Sequence, residues 1–189
     1  MMLTVLLKSI MITNINNTFD IYVAHCSLTE NDFCNIKKSV DPIRTKIHPI
    51  KISPEILEDA PVPKRITKET YYRLLMMDYL PENIDRILYI DPDTIVLRDL
   101  SPLYNIDFKG KTIAAAGHTK LFIEDFNHIR FKIKKGSRYF NAGVMMVNLA
   151  KMRRTVTSKM IFDYVEKHQR WLFLADQDVL NGMFANDMV

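Results

Sequence analysis

The segment from Arg86 to Leu97 reads RILYIDPDTIVL, an apolar run that ends on two carboxylates one residue apart, Asp91 and Asp93. In extended backbone residues i and i+2 point to the same side, so both carboxylates would face one spot with Pro92 between them. Two anions about 5 Å apart repel by roughly 3 kcal/mol at an effective dielectric of 20, which calls for a proton or a cation between them. A hard divalent metal is the natural occupant. The same residues, Asp-Pro-Asp-Thr, also read as an ordinary turn between two strands.

Three further places carry polar residues in apolar surroundings. Tyr139 to Leu149 (YFNAGVMMVNL) reads as a strand interrupted by Asn141, Ala142 and Gly143. Glycine there lets a ligand approach the backbone and Asn adds donors and an acceptor, although a β-bulge without a ligand explains the triplet equally. Asp176 and Gln177 open a predicted helix, Ala175 to Phe184, where an N-cap is the plain alternative for Asp176. Arg73 lies beside the helical stripe Tyr72, Leu75, Met76 and Tyr79. An Asp-x-Asp after hydrophobic residues also opens one type of phosphatase site, but Ile95 stands where that type wants Thr or Val.

The elements that position these residues alternate between periods of two and of 3.6. Leu3, Leu6, Leu7, Ile10 and Met11 recur at helical spacing and predict an amphipathic helix ending near Asn14 to Asn17. Phe19 to His25 is a strand, and Thr29 starts a helix with Asp32 at the capping-box position. Thr45 to Ile52 is a second strand, which completes a strand, helix, strand unit of the parallel α/β kind. Ser53-Pro54-Glu55 opens a short helix and Lys68 to Tyr79 a longer one, closed by Pro81. Ile87 to Ile90 is expected to be a strand buried on both faces. A helical turn at Ser101-Pro102 and a strand at Lys111 to Gly117 follow. His118 to Gly136 reads as a loop or lid, and helices are expected from Lys151 and over Ser158 to Gln169.

The chain has 189 residues, 48% of them hydrophobic, enough for one sizeable core in a single domain. Its net charge of +4 is spread without any nucleic-acid-binding signature. Cys26 and Cys34 lack metal-ligand spacing and read as buried free thiols in a reducing compartment. The opening MMLTVLLKSIMI has no basic n-region and no cleavage pattern, and no run is long enough to span a bilayer. The expected location is cytoplasmic, with peripheral membrane contact possible.

ILYIDPDTIVLRDLSPLY, RYFNAGVMMVNLAKMRR and ADQDVLN, in this order, with YYRLLMMDYLP upstream, resemble the signature blocks of glycosyltransferase family 8. The resemblance implies a GT-A-like nucleotide-sugar transferase fold, a mostly parallel central sheet flanked by helices. It implies a retaining hexosyltransferase that moves galactose or glucose from a UDP-sugar to a glycan or lipid-linked acceptor, with no nucleic acid partner. Asp91 and Asp93 would then bind Mn²⁺ or Mg²⁺ on the diphosphate. Arg73, Pro92, Asn141, Ala142 and Gly143 would bind the donor, and Asp176 and Gln177 would be the catalytic pair at the sugar. The resemblance lacks the family's first strand and its later His-containing segment, so the fold is expected to be incomplete at both ends. A donor-binding remnant without turnover, and a basic interaction module unrelated to sugars, remain as other readings.

Overall fold

The structure, a computed structural model, describes residues 2–63, 67–117, 129–131, 134 and 138–189. Most of the predicted lid, including His118 and His128, therefore lies outside the described residues. The chain forms two compact units, the first from residues 1–54 and 90–105, the second from 55–89 and 106–189.

In the first unit α1 (Met2–Thr13) turns two apolar stripes inward. Leu7 joins Val23, Phe33 and Ile36 beneath the strand pair β1 (Phe19–His25) and β2 (Thr45–Lys51), while Leu6 and Ile10 meet Val96. The two strands are parallel, with Phe19 opposite Thr45 and His25 opposite Lys51. Between them α2 (Glu30–Lys37) carries the expected capping box, Thr29 and Asp32 bonding each other's backbone N–H. The cysteines depart from expectation, for both are exposed. Cys26 follows the last residue of β1, and Cys34 stands on α2, whose buried residues are Phe33 and Ile36.

The stretch after Asp93 has no regular structure until the short helix α5 (Ser101–Tyr104). Its backbone is tied instead to polar side chains of α1 and the residues after it. Val96 N–H donates to Ser9 Oγ at 2.9 Å, and Leu100 N–H to Asn14 Oδ1 at 2.7 Å, with Asn14 only 2% exposed. Buried backbone donors need such partners wherever no ladder supplies them.

The second unit holds a three-stranded sheet ordered β3 (Arg86–Ile90), β5 (Phe140–Asn148), β4 (Ile113–Gly117). Here β4 and β5 run antiparallel while β1 and β2 pair in parallel, within the mostly parallel character expected. Every residue of β3 is half-buried rather than buried on both faces, and among the described residues β3 is an edge of its sheet. The predicted helix over Lys68 to Tyr79 is broken into a 3₁₀ turn at Lys68–Thr70, α3 (Tyr71–Leu74) and α4 (Met76–Tyr79). Leu74, Leu75, Met76 and Met77 are all buried, which one face of a straight helix cannot achieve. The chain changes direction at Leu75, at φ −105 and ψ 20.

Helices α6 (Leu149–Thr155), α7 (Ser158–His168) and α8 (Ala175–Phe184) complete this unit. Arg153 of α6 acts as a clamp. Its guanidinium donates to the carbonyls of Met77, Leu80, Pro81, Glu82 and Ile84 at 2.8 to 3.3 Å, which holds the turn that feeds β3. Truncating Arg153 to Ala is expected to lower stability by about 2–3 kcal/mol, since hydrogen bonds to a charged group are the strong kind. Urea unfolding of the variant measures this; a loss under about 0.5 kcal/mol, the size of an ordinary surface change, would refute the clamp.

Asp187 supplies a pH-dependent tie in the same unit, accepting from Lys151 Nζ at 2.7 Å and from Thr112 Oγ1. Burial raises its pKa, but the hydrogen bonds from Lys151 and Thr112 outweigh that and hold the carboxyl below its ordinary value. A depressed carboxyl stabilises fully above its unfolded pKa, about 3.9, and the contribution fades as pH falls through the folded value. The stability gap between wild type and Asp187→Asn is therefore expected to be full at neutral pH and to close in acid below about pH 4, as followed by urea midpoints.

Candidate functional site

Asp91 and Asp93 belong to the first unit and stand just past the end of β3. The backbone there is a turn, closed by Thr94 N–H donating to Asp91 C=O at 3.1 Å, so the strand alternation expected to align the two carboxylates does not extend to them. Pro92 cannot donate to a ladder and sits on that turn, beyond the strand. Asp91 is half-buried, and Pro92 and Asp93 are exposed. Among the described residues no group of three or more His, Cys, Asp or Glu side chains could hold a metal. The two carboxylates are nonetheless hard oxygen donors on one turn, the donor type that suits a divalent ion.

The other predicted residues lie in the second unit, and Arg73, Ala142, Asp176 and Gln177 come together there. Arg73, on α3, forms an ion pair through Nε with Asp176, the side chains 21% and 16% exposed. Its Nη1 donates to Ala142 C=O at 3.2 Å, and its guanidinium lies over the Tyr89 ring, 4.9 Å from the centroid. Asp176 is thus the partner of a cation and not an N-cap; the cap position is Leu174, which makes no side-chain cap bond. Gln177 Oε1 accepts from Ala142 N–H at 3.2 Å, and its Nε2 donates to the Tyr139 hydroxyl at 3.3 Å.

The triplet Asn141, Ala142, Gly143 sits on a break in the β4–β5 register. Ile113, Ala114 and Ala115 pair with Val147, Met146 and Met145; regular continuation would set Gly117 opposite Gly143, but it stands opposite Phe140. The register thus shifts by a bulge or a similar irregularity at the triplet, a feature that is compatible with a site, since bulges re-aim side chains. Asn141 is exposed and its Oδ1 accepts from Gly143 N–H at 2.7 Å, so this side chain shapes its own loop.

Three residues missing from the sequence reading hold the cluster: Tyr139, Asp178 and Asn181. Asn181, 1% exposed, takes Phe140 N–H on Oδ1 at 2.7 Å and gives Nδ2 to Phe140 C=O at 2.9 Å. Its side chain thereby imitates the edge of a neighbouring strand. Asp178 and Asn181, two and five residues after Asp176 on a helix with buried Val179, Leu180 and Phe184, were the available signal, because buried polar side chains must find partners. Replacing Asn181 with Leu strands both polar groups of Phe140 and is expected to cost about 2–4 kcal/mol. Chemical denaturation decides it, and a variant as stable as the wild type would show that these bonds are dispensable.

The family model described as Glycosyl transferase family 8 matches residues 1–189. General stress protein A of Bacillus subtilis is 31% identical over 141 residues, 71% of this chain and 47% of that protein. Lipopolysaccharide 1,2-glucosyltransferase of Escherichia coli is 28% identical over 191 residues, covering 95% of this chain and 54% of its own length. The chain thus spans about half the length of these relatives. Among solved structures, galactosyltransferase LgtC in complex with donor and acceptor sugar analogues superposes with a TM-score of 0.84 at 29% identity, over 97% of this chain and 66% of that one.

Proposed function

Because the chain belongs to glycosyltransferase family 8, we propose that it serves a retaining, metal-dependent transfer of a hexose, galactose or glucose, from a UDP-sugar to a glycan or lipid-linked sugar acceptor. The observation that carries this reading is the cluster of Arg73, Asp176, Gln177 and Ala142, in which a cation, a carboxylate, an amide and backbone groups are locked to one another. Such a set recognises sugar hydroxyls and an anionic leaving group by fixed donors and acceptors, without reorganisation during the reaction. The acceptor-complexed LgtC structure supports the general substrate class.

In this reading Asp176 accepts from a hydroxyl of the donor sugar while Arg73 fixes the carboxylate's orientation and contributes positive charge near the phosphates. Ala142, 1% exposed, presents its backbone where the strand register shifts, next to Asn141 and Gly143. Gln177 lies beside the anomeric carbon. A neutral amide is a poor nucleophile, and here its oxygen already accepts a backbone N–H. Its role is orientation, with the acceptor attacking from the side of the leaving group. Asp91 and Asp93 would hold Mn²⁺ or Mg²⁺, which supplies neutralisation of the charge that builds on the departing diphosphate.

Calorimetric titration of UDP with Mn²⁺, repeated with chelator and with an Asp91→Ala, Asp93→Ala double variant, tests the proposal. Binding is expected only with metal and only in the wild type, followed by UDP release when UDP-galactose or UDP-glucose is supplied. Binding without turnover would reduce the protein to a donor-binding module. Steeply salt-dependent binding to polyanions that survives in the double variant would instead make it a basic interaction surface.

A further inference from the structure

Asp178 is 0% exposed and its carboxylate is saturated by donors. Oδ1 accepts from the Tyr139 hydroxyl and from Arg130 Nη2, and Oδ2 from the backbone N–H of Phe173 and Leu174 at 2.6 and 2.8 Å. With both oxygens doubly occupied it has no face to offer a substrate. What it does is dictated by direction. A carboxylate only accepts, so Tyr139 must donate to it, and the Tyr139 oxygen is then left to accept from Gln177.

The amide of Gln177 is constrained from its other end as well. The backbone N–H of Ala142 only donates, so the Gln177 atom facing it must be Oε1, which leaves Nε2 toward Tyr139. Both ends agree, and the chain runs one way: Ala142 N–H to Gln177, Gln177 to Tyr139, Tyr139 to Asp178. Burial and then the bond to Asp178 push the Tyr139 pKa upward, so the hydroxyl keeps the proton that it donates.

The same carboxylate reaches back to the loop before α8. Leu174 cannot cap the helix, and Ala175 takes φ +47, a left-handed backbone unusual for a residue with a Cβ. The two N–H groups held by Asp178 immediately precede that residue, and Asp176 immediately follows it. We propose that Asp178 is a positioning residue: through Tyr139 it holds the second end of the Gln177 amide, whose first end the Ala142 N–H orients, and so locks that amide for a bound sugar, while anchoring the turn that aims Asp176 at Arg73. This rests on the donor-site reading above only for its consequence in catalysis; the direction of the chain stands apart from it.

The test uses the full chain with Tyr139→Phe and Asp178→Asn, observing the Gln177 side-chain amide by ¹⁵N NMR, assigned by its loss in Gln177→Leu. Tyr139→Phe keeps the Arg130–Asp178 pair and the loop bonds, so it is expected to fold even if Asp178→Asn does not. In Asp178→Asn the loop N–H groups claim the amide oxygen, the Asn Nδ2 falls toward Tyr139, and Gln177 must surrender one of its two anchors. The wild-type Gln177 amide should show slowed exchange and a proton-shift separation wider than that of a free side chain, and both should fall back toward free values in Tyr139→Phe. An unchanged Gln177 signal in Tyr139→Phe would overturn the proposal, whatever the activity. Where the wild type turns over a UDP-sugar, kcat should fall about 10- to 100-fold in Tyr139→Phe with the donor KM within about twofold; an equal loss of UDP affinity would make the role structural and overturn it. A wild type that neither binds nor transfers would sink the donor-site reading and leave the amide signal to judge this one.

Discussion

One helix face docked on one strand end organises the second unit: α8 meets the start of β5 through amides rather than through apolar packing alone. Asn181 satisfies both backbone groups of Phe140, and Gln177 takes the next inward N–H, that of Ala142. Phe140 is itself fully buried, so these groups have no recourse to water. A side chain that replaces a strand neighbour fixes the helix along the strand and in rotation at once. Hydrophobic contacts from Val179, Leu180 and Phe184 supply the burial, but being non-directional they set no such register.

The two units solve the problem of irregular backbone in opposite ways. In the first, residues 94–100 follow the carboxylate pair without a ladder, and α1 with its following turn supplies the missing acceptors from Ser9 and Asn14. In the second, the loop before α8 borrows an acceptor from within the helix itself, Asp178, whose charge is matched by Arg130. A buried pair of this kind is poor evidence for stability but strong evidence for a required geometry, because an isolated charge there would be intolerable. Ala175, between these held N–H groups and Asp176, takes the left-handed backbone in the same loop.

What could be read beforehand follows from how local each signal is. The bounds of β1, the capping box of Thr29 and Asp32, and the extent of α8 were all legible, since each depends on residues within a few positions. Asp176, Gln177, Arg73 and Ala142 were legible as a set only through their resemblance to a family, because no periodicity links residues so far apart. The break at Leu75 was hidden: its helical stripe is real, but four consecutive buried residues override it. The antiparallel run of β4 against β5 was hidden too, as was the exposure of both cysteines, for these depend on which neighbour an element finds. Nothing local marks Arg153, and only the fold reveals the carbonyls gathered around it.

That gathering bears on how the sequence can drift. Every residue carries a carbonyl, so the clamp on residues 77–84 reads backbone and ignores side-chain identity. The exposed part of the approach to β3, residues 81–83, is therefore free to vary in composition as long as its path is kept, while the requirement of shape on it is concentrated in a single codon at position 153. Divergence among descendants of this chain should accumulate along that turn and stop at the arginine, where a lysine, with one point charge in place of a planar fork, could not follow the same curve.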